Sequence, residues 1–174
     1  MKNLIMKSRK VLLFAILFSM SSLVYGAKLI EGSFECLKGE KYLTIKLDCS
    51  KTVYKKGRPF EEFLRKAPRM DGWEEESIKY FCSRFNERTY KIQLTAILTT
   101  SKNTSKYELV IVPFKINGGG SIEGKAYLID SATQEKLATI EIDVEGDGND
   151  EIALRDPMKD CGTEIGKMVY KALK

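Results

Sequence analysis

Apolar and polar positions alternate over residues 42–49 (YLTIKLDC), with Leu43, Ile45, Leu47 and Cys49 on one side and Tyr42, Thr44, Lys46 and Asp48 on the other. That period of two is the mark of a half-buried strand. Just ahead, Phe34-Glu35-Cys36-Leu37 and the turn Lys38-Gly39-Glu40 predict a short partner strand. Pro59 then opens a short helix in which Phe60, Phe63, Leu64 and Ala67 recur at helical spacing until Pro68 ends it. Asp71 stands three residues before Glu74, like a capping box. Trp73, Ser77, Ile78, Phe81, Cys82 and Phe85 follow at steps of three and four, which predicts a longer helix to about Arg88.

After that helix the period returns to two. Ile92, Leu94, Ala96 and Leu98, then residues 107–116, 122–130 and 136–144, read as four strands in succession. Their connections, 101–106, 117–121 and 131–135, are short and rich in turn formers, so neighbours in sequence are expected to pair antiparallel. Asp156-Pro157 reads as the cap and first residue of a closing helix, with Met158, Cys161, Ile165, Met168 and Val169 as its apolar stripe. The pattern predicts one α+β domain: a mainly antiparallel sheet of about five strands with helices packed on one face, in the order β-α-α-β-β-β-β-α. Gly162 and Gly166, four apart on the closing helix, are expected to let that helix lie close on the sheet. A close helix-to-helix contact is the other use of such a pair.

The first residues do not fit a folded domain. Lys2, Lys7, Arg9 and Lys10 precede an apolar run from Val11 to Met20, and Val24 and Gly26 stand at positions −3 and −1 of a cut before Ala27. These are the three parts of a secretory signal peptide, so residues 1–26 are expected to be removed and 27–174 to form the domain. The apolar stretch is too short to span a bilayer, and no Cys follows it directly for lipid attachment. The leader carries four basic and no acidic residues, so the net charge of +5 for the whole chain falls to 5 − 4 = +1 for the mature form. The apparent basicity belongs to the leader, and nucleic acid is not an expected partner. A periplasmic or secreted location follows.

The absence of His from all 174 residues removes Ser-His and Cys-His nucleophile pairs, His-ligated zinc and His general bases. P-loop and dinucleotide fingerprints are missing too, and no cofactor is implied. Carboxylates could still catalyse, but Glu61-Glu62 and Glu74-Glu75-Glu76 fall at helix starts, where the helix dipole explains them. The acidic loop 143–151 has oxygen ligands at alternate positions, as calcium loops do. Its twelfth place is Leu154 instead of a bidentate Glu, so a solvated turn is the plainer reading. Asp130-Ser131-Ala132 matches a short O-glycan attachment pattern on an expected exposed turn. In an oxidising compartment the cysteines are either small buried hydrophobes or paired, and Cys82 with Cys161 is the first pairing to consider.

One stretch bears on partners. Residues 107–116 are apolar on both faces, with Leu109 and Ile111 on one and Val110, Val112 and Phe114 on the other, and Ile97, Tyr127 and Ile129 extend the second set. With helices on one face only, the other carries an apolar patch. Either that patch is a partner face, or residues 29–37 or 52–58 cover it.

Residues 34–50 (FECLKGEKYLTIKLDCS), Phe60-Glu61-Glu62-Phe63-Leu64, Trp73 with Phe85-Asn86-Glu87, and the closing Gly162-Thr163-Glu164-Ile165-Gly166-Lys167-Met168 resemble an uncharacterised family of small exported proteins of Bacteroidetes-type bacteria. The resemblance implies fold and compartment and carries no catalytic residue. A looser likeness, on element order alone, is to small α+β accessory domains of the Gram-negative envelope. The expected function is thus an exported, non-catalytic binding or accessory module with a protein or envelope component as partner and no membrane-spanning anchor after cleavage. The alternative is a His-independent, carboxylate-based hydrolase acting on a glycan.

Overall fold

A computed structural model describes residues 26–66, 71–146 and 156–174. Eight strands form a single mixed sheet: β1 (Gly26–Gly32), β2 (Tyr42–Leu47), β3 (Val53–Tyr54), β4 (Arg58–Pro59), β5 (Thr95–Leu98), β6 (Tyr107–Ile116), β7 (Ile122–Asp130) and β8 (Lys136–Val144). Among the described residues three helices accompany them, α1 (Phe60–Lys66), α2 (Trp73–Thr89) and α3 (Asp156–Leu173). The main order across the sheet is β1-β8-β7-β6-β2-β5, with β3 beside β6 and β4 beside β3.

This corrects the expected five-stranded, mainly antiparallel sheet. β6-β7-β8, joined by short turns, and the two-residue strands β3 and β4 pair antiparallel in sequence order, and β1 adds an antiparallel edge on β8. Strand β2 lies between β5 and β6 and runs parallel to both. The parallel β2–β5 pair follows from the long helical crossover between them, since a chain that returns through helices re-enters in the same direction. β5 and β6 are not neighbours at all. β5 is only four residues long, so the eight-residue connection 99–106 can double back, pass the start of β2 and enter β6 on its other side. The hydroxyl of Ser105 ties this crossing down, donating to the Tyr42 carbonyl at 2.7 Å. Periodicity fixes which face a residue takes and carries no record of which strand lies alongside.

Three local expectations also change. Residues 35–37 form a 3₁₀ turn instead of a strand, with Leu37 N–H donating to Phe34 O at 2.9 Å, because Phe34 and Leu37 are buried together at a spacing of three. At the start of α2, Gly72 in a left-handed conformation takes the cap position, and no side chain caps the helix, so Asp71 and Glu74 do not form a capping box. The third concerns β1, β3 and β4, none of which the alternation revealed. β1 contains Lys28, Glu31 and two glycines, and β3 and β4 are two residues each, too short to show a period.

The core lies between one sheet face and the pair α2 and α3. Leu43, Ile45, Leu109, Ile111, Ala126, Leu128, Ile140 and Ile142 point into it from the strands, Trp73, Phe81 and Phe85 from α2, and Met158, Cys161, Ile165 and Val169 from α3. Gly162 and Gly166 face α2, not the sheet. A Cβ on Gly162 would meet the Phe81 carbonyl oxygen at 2.4 Å, and one on Gly166 would meet the Arg88 Cβ at 3.0 Å. The two helices therefore approach to backbone contact, the helix-to-helix use of the pair.

Candidate functional site

The residues left over from that core define the opposite face of the sheet. Val110 is in register with Tyr127 on β7 and Lys46 on β2; Glu108 is in register with Ile129 and Thr44; Val112 is in register with Lys125. The strand shifts register between Pro113 and Lys115, and this bulge leaves Phe114 45% exposed. Val110, Val112, Tyr127 and Ile129 are half-buried by their neighbours within the sheet. The structure thus brings Val110, Val112, Tyr127 and Ile129 onto one face, with Phe114 exposed at the bulge beside them.

Neither segment expected to cover this face does so. Residues 26–32 are the edge strand β1, in the plane of the sheet, and residues 53–59 form the β3–β4 hairpin, which pairs with Lys115 and Ile116 at the far end of β6. Among the described residues no helix lies over it. Charge on the face is mostly neutralised locally: Lys46 meets Glu108 at 2.6 Å, Lys115 meets Glu123 at 2.6 Å, and the Lys136 ammonium sits 4.2 Å from the Tyr127 ring centroid. The result is an apolar strip flanked by these paired charges and by Lys125, which forms no ion pair among the described residues. Sequence reading missed Val53, 36% exposed and in register with Lys115, since a two-residue strand gives no alternation to read.

Other candidates resolve differently. Glu61 and Glu62 lie in the first turn of α1, and Glu74, Glu75 and Glu76 in that of α2. Asp71, Glu74 and Glu75 line an open cleft of about 350 Å³ with Trp73 and Leu64. A second cleft of about 280 Å³ lies between Arg88, Tyr90 and Lys91 at the end of α2 and Lys167 and Tyr170 on α3. Among the described residues no group of three Cys, Asp or Glu is placed to hold a metal ion. The acidic loop falls largely on residues 147–151, outside the described residues. The Ser131 hydroxyl is buried without a hydrogen-bond partner, so the hydroxyl of the Asp130-Ser131-Ala132 pattern is turned inward, while Ala132 and Thr133 beside it are exposed. Ser131 N–H donates to the Lys106 carbonyl, and that contact holds the turn against the β5–β6 crossing.

Cys49, Cys82 and Cys161 are buried, Cys36 is half-buried, and all four carry free thiols in the structure. Burial pushes the thiols of Cys49, Cys82 and Cys161 up to about 12, because the anion would lose its hydration. Such thiols are poor nucleophiles. Cys82 and Cys161 sit on the two helices that pack together, α2 and α3. No helix of the described residues is long and apolar enough to cross a membrane.

No family model matches the chain, and no curated protein matches it. Among solved structures, two of PelC from Paraburkholderia phytofirmans, both dodecamers, align over 83% of this chain. They are 8% and 9% identical to it, with TM-scores of 0.45 and 0.46 and coverage of 95% and 96% of their own length. A Xanthomonas campestris protein aligns over 76% of this chain and 83% of its own, at 15% identity and a TM-score of 0.35. With TM-scores below 0.5 and so few shared residues, these likenesses assign no function to this chain.

Proposed function

We propose that this chain is an exported, non-catalytic binding or accessory module of the bacterial envelope that works through the open face of its sheet. The observation that carries the reading is the uncovered strip of Val110, Val112, Phe114, Tyr127 and Ile129, backed by a fully built core on the other face. A contiguous apolar patch on an otherwise charged surface fits a contact surface. Export rests on the leader pattern of residues 1–26.

A photo-reactive residue placed at Val112 or Tyr127 should give specific adducts with an envelope component in cells. The same group at Tyr80, 37% exposed on α2 in the opposite layer, should not. Val112→Asp should abolish the adducts formed from Tyr127 while the protein keeps its circular dichroism spectrum. Equal labelling from both layers, or adducts that survive in folded Val112→Asp, would sink the reading.

A further inference from the structure

One corner of the open face differs from the rest in charge. On the face Lys46 and Lys115 are taken up by acids, but residues 51–58 (KTVYKKGR) carry four cations and no acid. Lys51, Lys56 and Arg58 are exposed, and among the described residues none of them forms an ion pair. Lys56 and Arg58 belong to a tight hairpin turn. Lys56 (φ 56°) and Gly57 (φ 80°) are both left-handed, and Arg58 N–H donates to Lys55 O at 3.4 Å. Hairpin turns of this kind favour Asn or Gly at the first left-handed position, so a lysine there is held against its backbone preference. Such strain is tolerated where the surroundings enforce it. The hairpin is well anchored: Tyr54 stacks on Phe63 with centroids 4.2 Å apart, the Thr52 hydroxyl donates to Pro113 O at 2.8 Å, and Phe60 N–H donates to Thr52 O at 2.9 Å.

The same corner carries two exposed apolar side chains, Val53 at 36% and Phe114 at 45%, on either side of the paired Lys115. We infer that this corner docks onto an anionic phospholipid surface, with Lys51, Lys56 and Arg58 at the headgroup phosphates and Phe114 and Val53 in the interfacial layer. This rests on the open-face reading and names the chemistry of its partner. The cations are spread along a hairpin and do not converge on one point, so they suit a surface of many anions better than a single bound one. Unpaired cations beside exposed apolar side chains are the pairing that interfacial binding uses.

The test is co-sedimentation of the chain from Gly26 onward, which holds every described element, with vesicles of phosphatidylglycerol mixed into phosphatidylcholine and with phosphatidylcholine alone. Association with the anionic vesicles only, weakening with added salt, is expected. Each cation near such a surface contributes about fivefold, so Lys51→Ala/Lys56→Ala should weaken binding by about 30-fold. Phe114→Ser should weaken it several-fold. Lys51→Gln/Lys56→Gln reads the same contact independently of any folding defect in the alanine variant. Equal binding to neutral vesicles, no binding to either, or unchanged binding in the glutamine variant would overturn the inference. If the vesicles fail while the Val112 cross-linker still gives its adduct, the face binds a protein and only the lipid assignment falls. If both fail, the open-face reading falls with it.

Discussion

Gly162 shows at the scale of one residue how context reverses a rule. In a solvent-exposed helix, Gly→Ala stabilises by about 1 kcal/mol through backbone entropy. Here the new methyl would stand 2.4 Å from the Phe81 carbonyl oxygen and 3.1 Å from its Cα, both backbone atoms that cannot turn aside. Gly162→Ala should therefore destabilise by about 1–3 kcal/mol, as overpacked cores do. At Gly166 the nearest atom is the Arg88 Cβ at 3.0 Å, so Gly166→Ala should cost less. Urea unfolding of the two variants checks the order. A stabilised Gly162→Ala would mean that α2 and α3 do not meet as described.

Among elements, the strand most exposed to unwanted pairing is β5, four residues at one end of the sheet. Its outer edge is closed by a side chain from α2. Asn86 Nδ2 donates to Ala96 O at 3.2 Å, and Ala96 N–H donates to Asn86 Oδ1 at 2.6 Å, so one amide stands in for a missing neighbour strand. Just before it, the Thr89 hydroxyl donates to Leu94 O at 2.7 Å. A free sheet edge is a template for aggregation. Asn86→Ala leaves both Ala96 groups unpaired and should cost about 1–3 kcal/mol, with increased light scattering near the melting transition. An unchanged urea midpoint would show that the edge is held by packing alone. The β1 edge is blunted in a different way, by Lys28 and by the register shift that leaves Ile30 exposed.

The whole molecule should register its buried thiols in its pH dependence. Cys49, Cys82 and Cys161 prefer the neutral form when folded, with folded values of about 12 against an ordinary 9.0. Their contribution is fully present below pH 9 and is lost as the pH rises towards 12, because the unfolded chain releases these protons first. At pH 10 each thiol contributes about 1.4 kcal/mol less stability than at pH 7. Cys82→Ala/Cys161→Ala should start from lower stability but show a flatter decline between pH 9 and pH 11, measured by chemical denaturation. A Cys82–Cys161 disulfide would flatten the wild-type curve too. Thiol counting in denaturant separates the cases: four reactive groups if all are free, two if that pair is closed.

The amino-acid sequence by itself determined what local periodicity can encode. The three long strands 107–116, 122–130 and 136–144, the stripes of α2 and α3, and the burial side of Leu43, Ile45, Leu109 and Ile111 all stand as the alternation predicts. So does the placing of Val110, Val112, Tyr127 and Ile129 on one face, because a period of two assigns faces before any partner is known, whereas at Phe114 a bulge breaks that period. Tertiary structure alone decided which strands lie side by side. Parallel insertion of β2 between β5 and β6, the β1 edge and the β3–β4 corner depend on contacts between residues far apart in sequence, which no local pattern records. The same contacts left the candidate face uncovered, by laying residues 26–32 and 53–59 along the sheet and not across it. They also turned Gly162 and Gly166 towards α2, since the direction of a glycine stripe is set by the helix that packs on it.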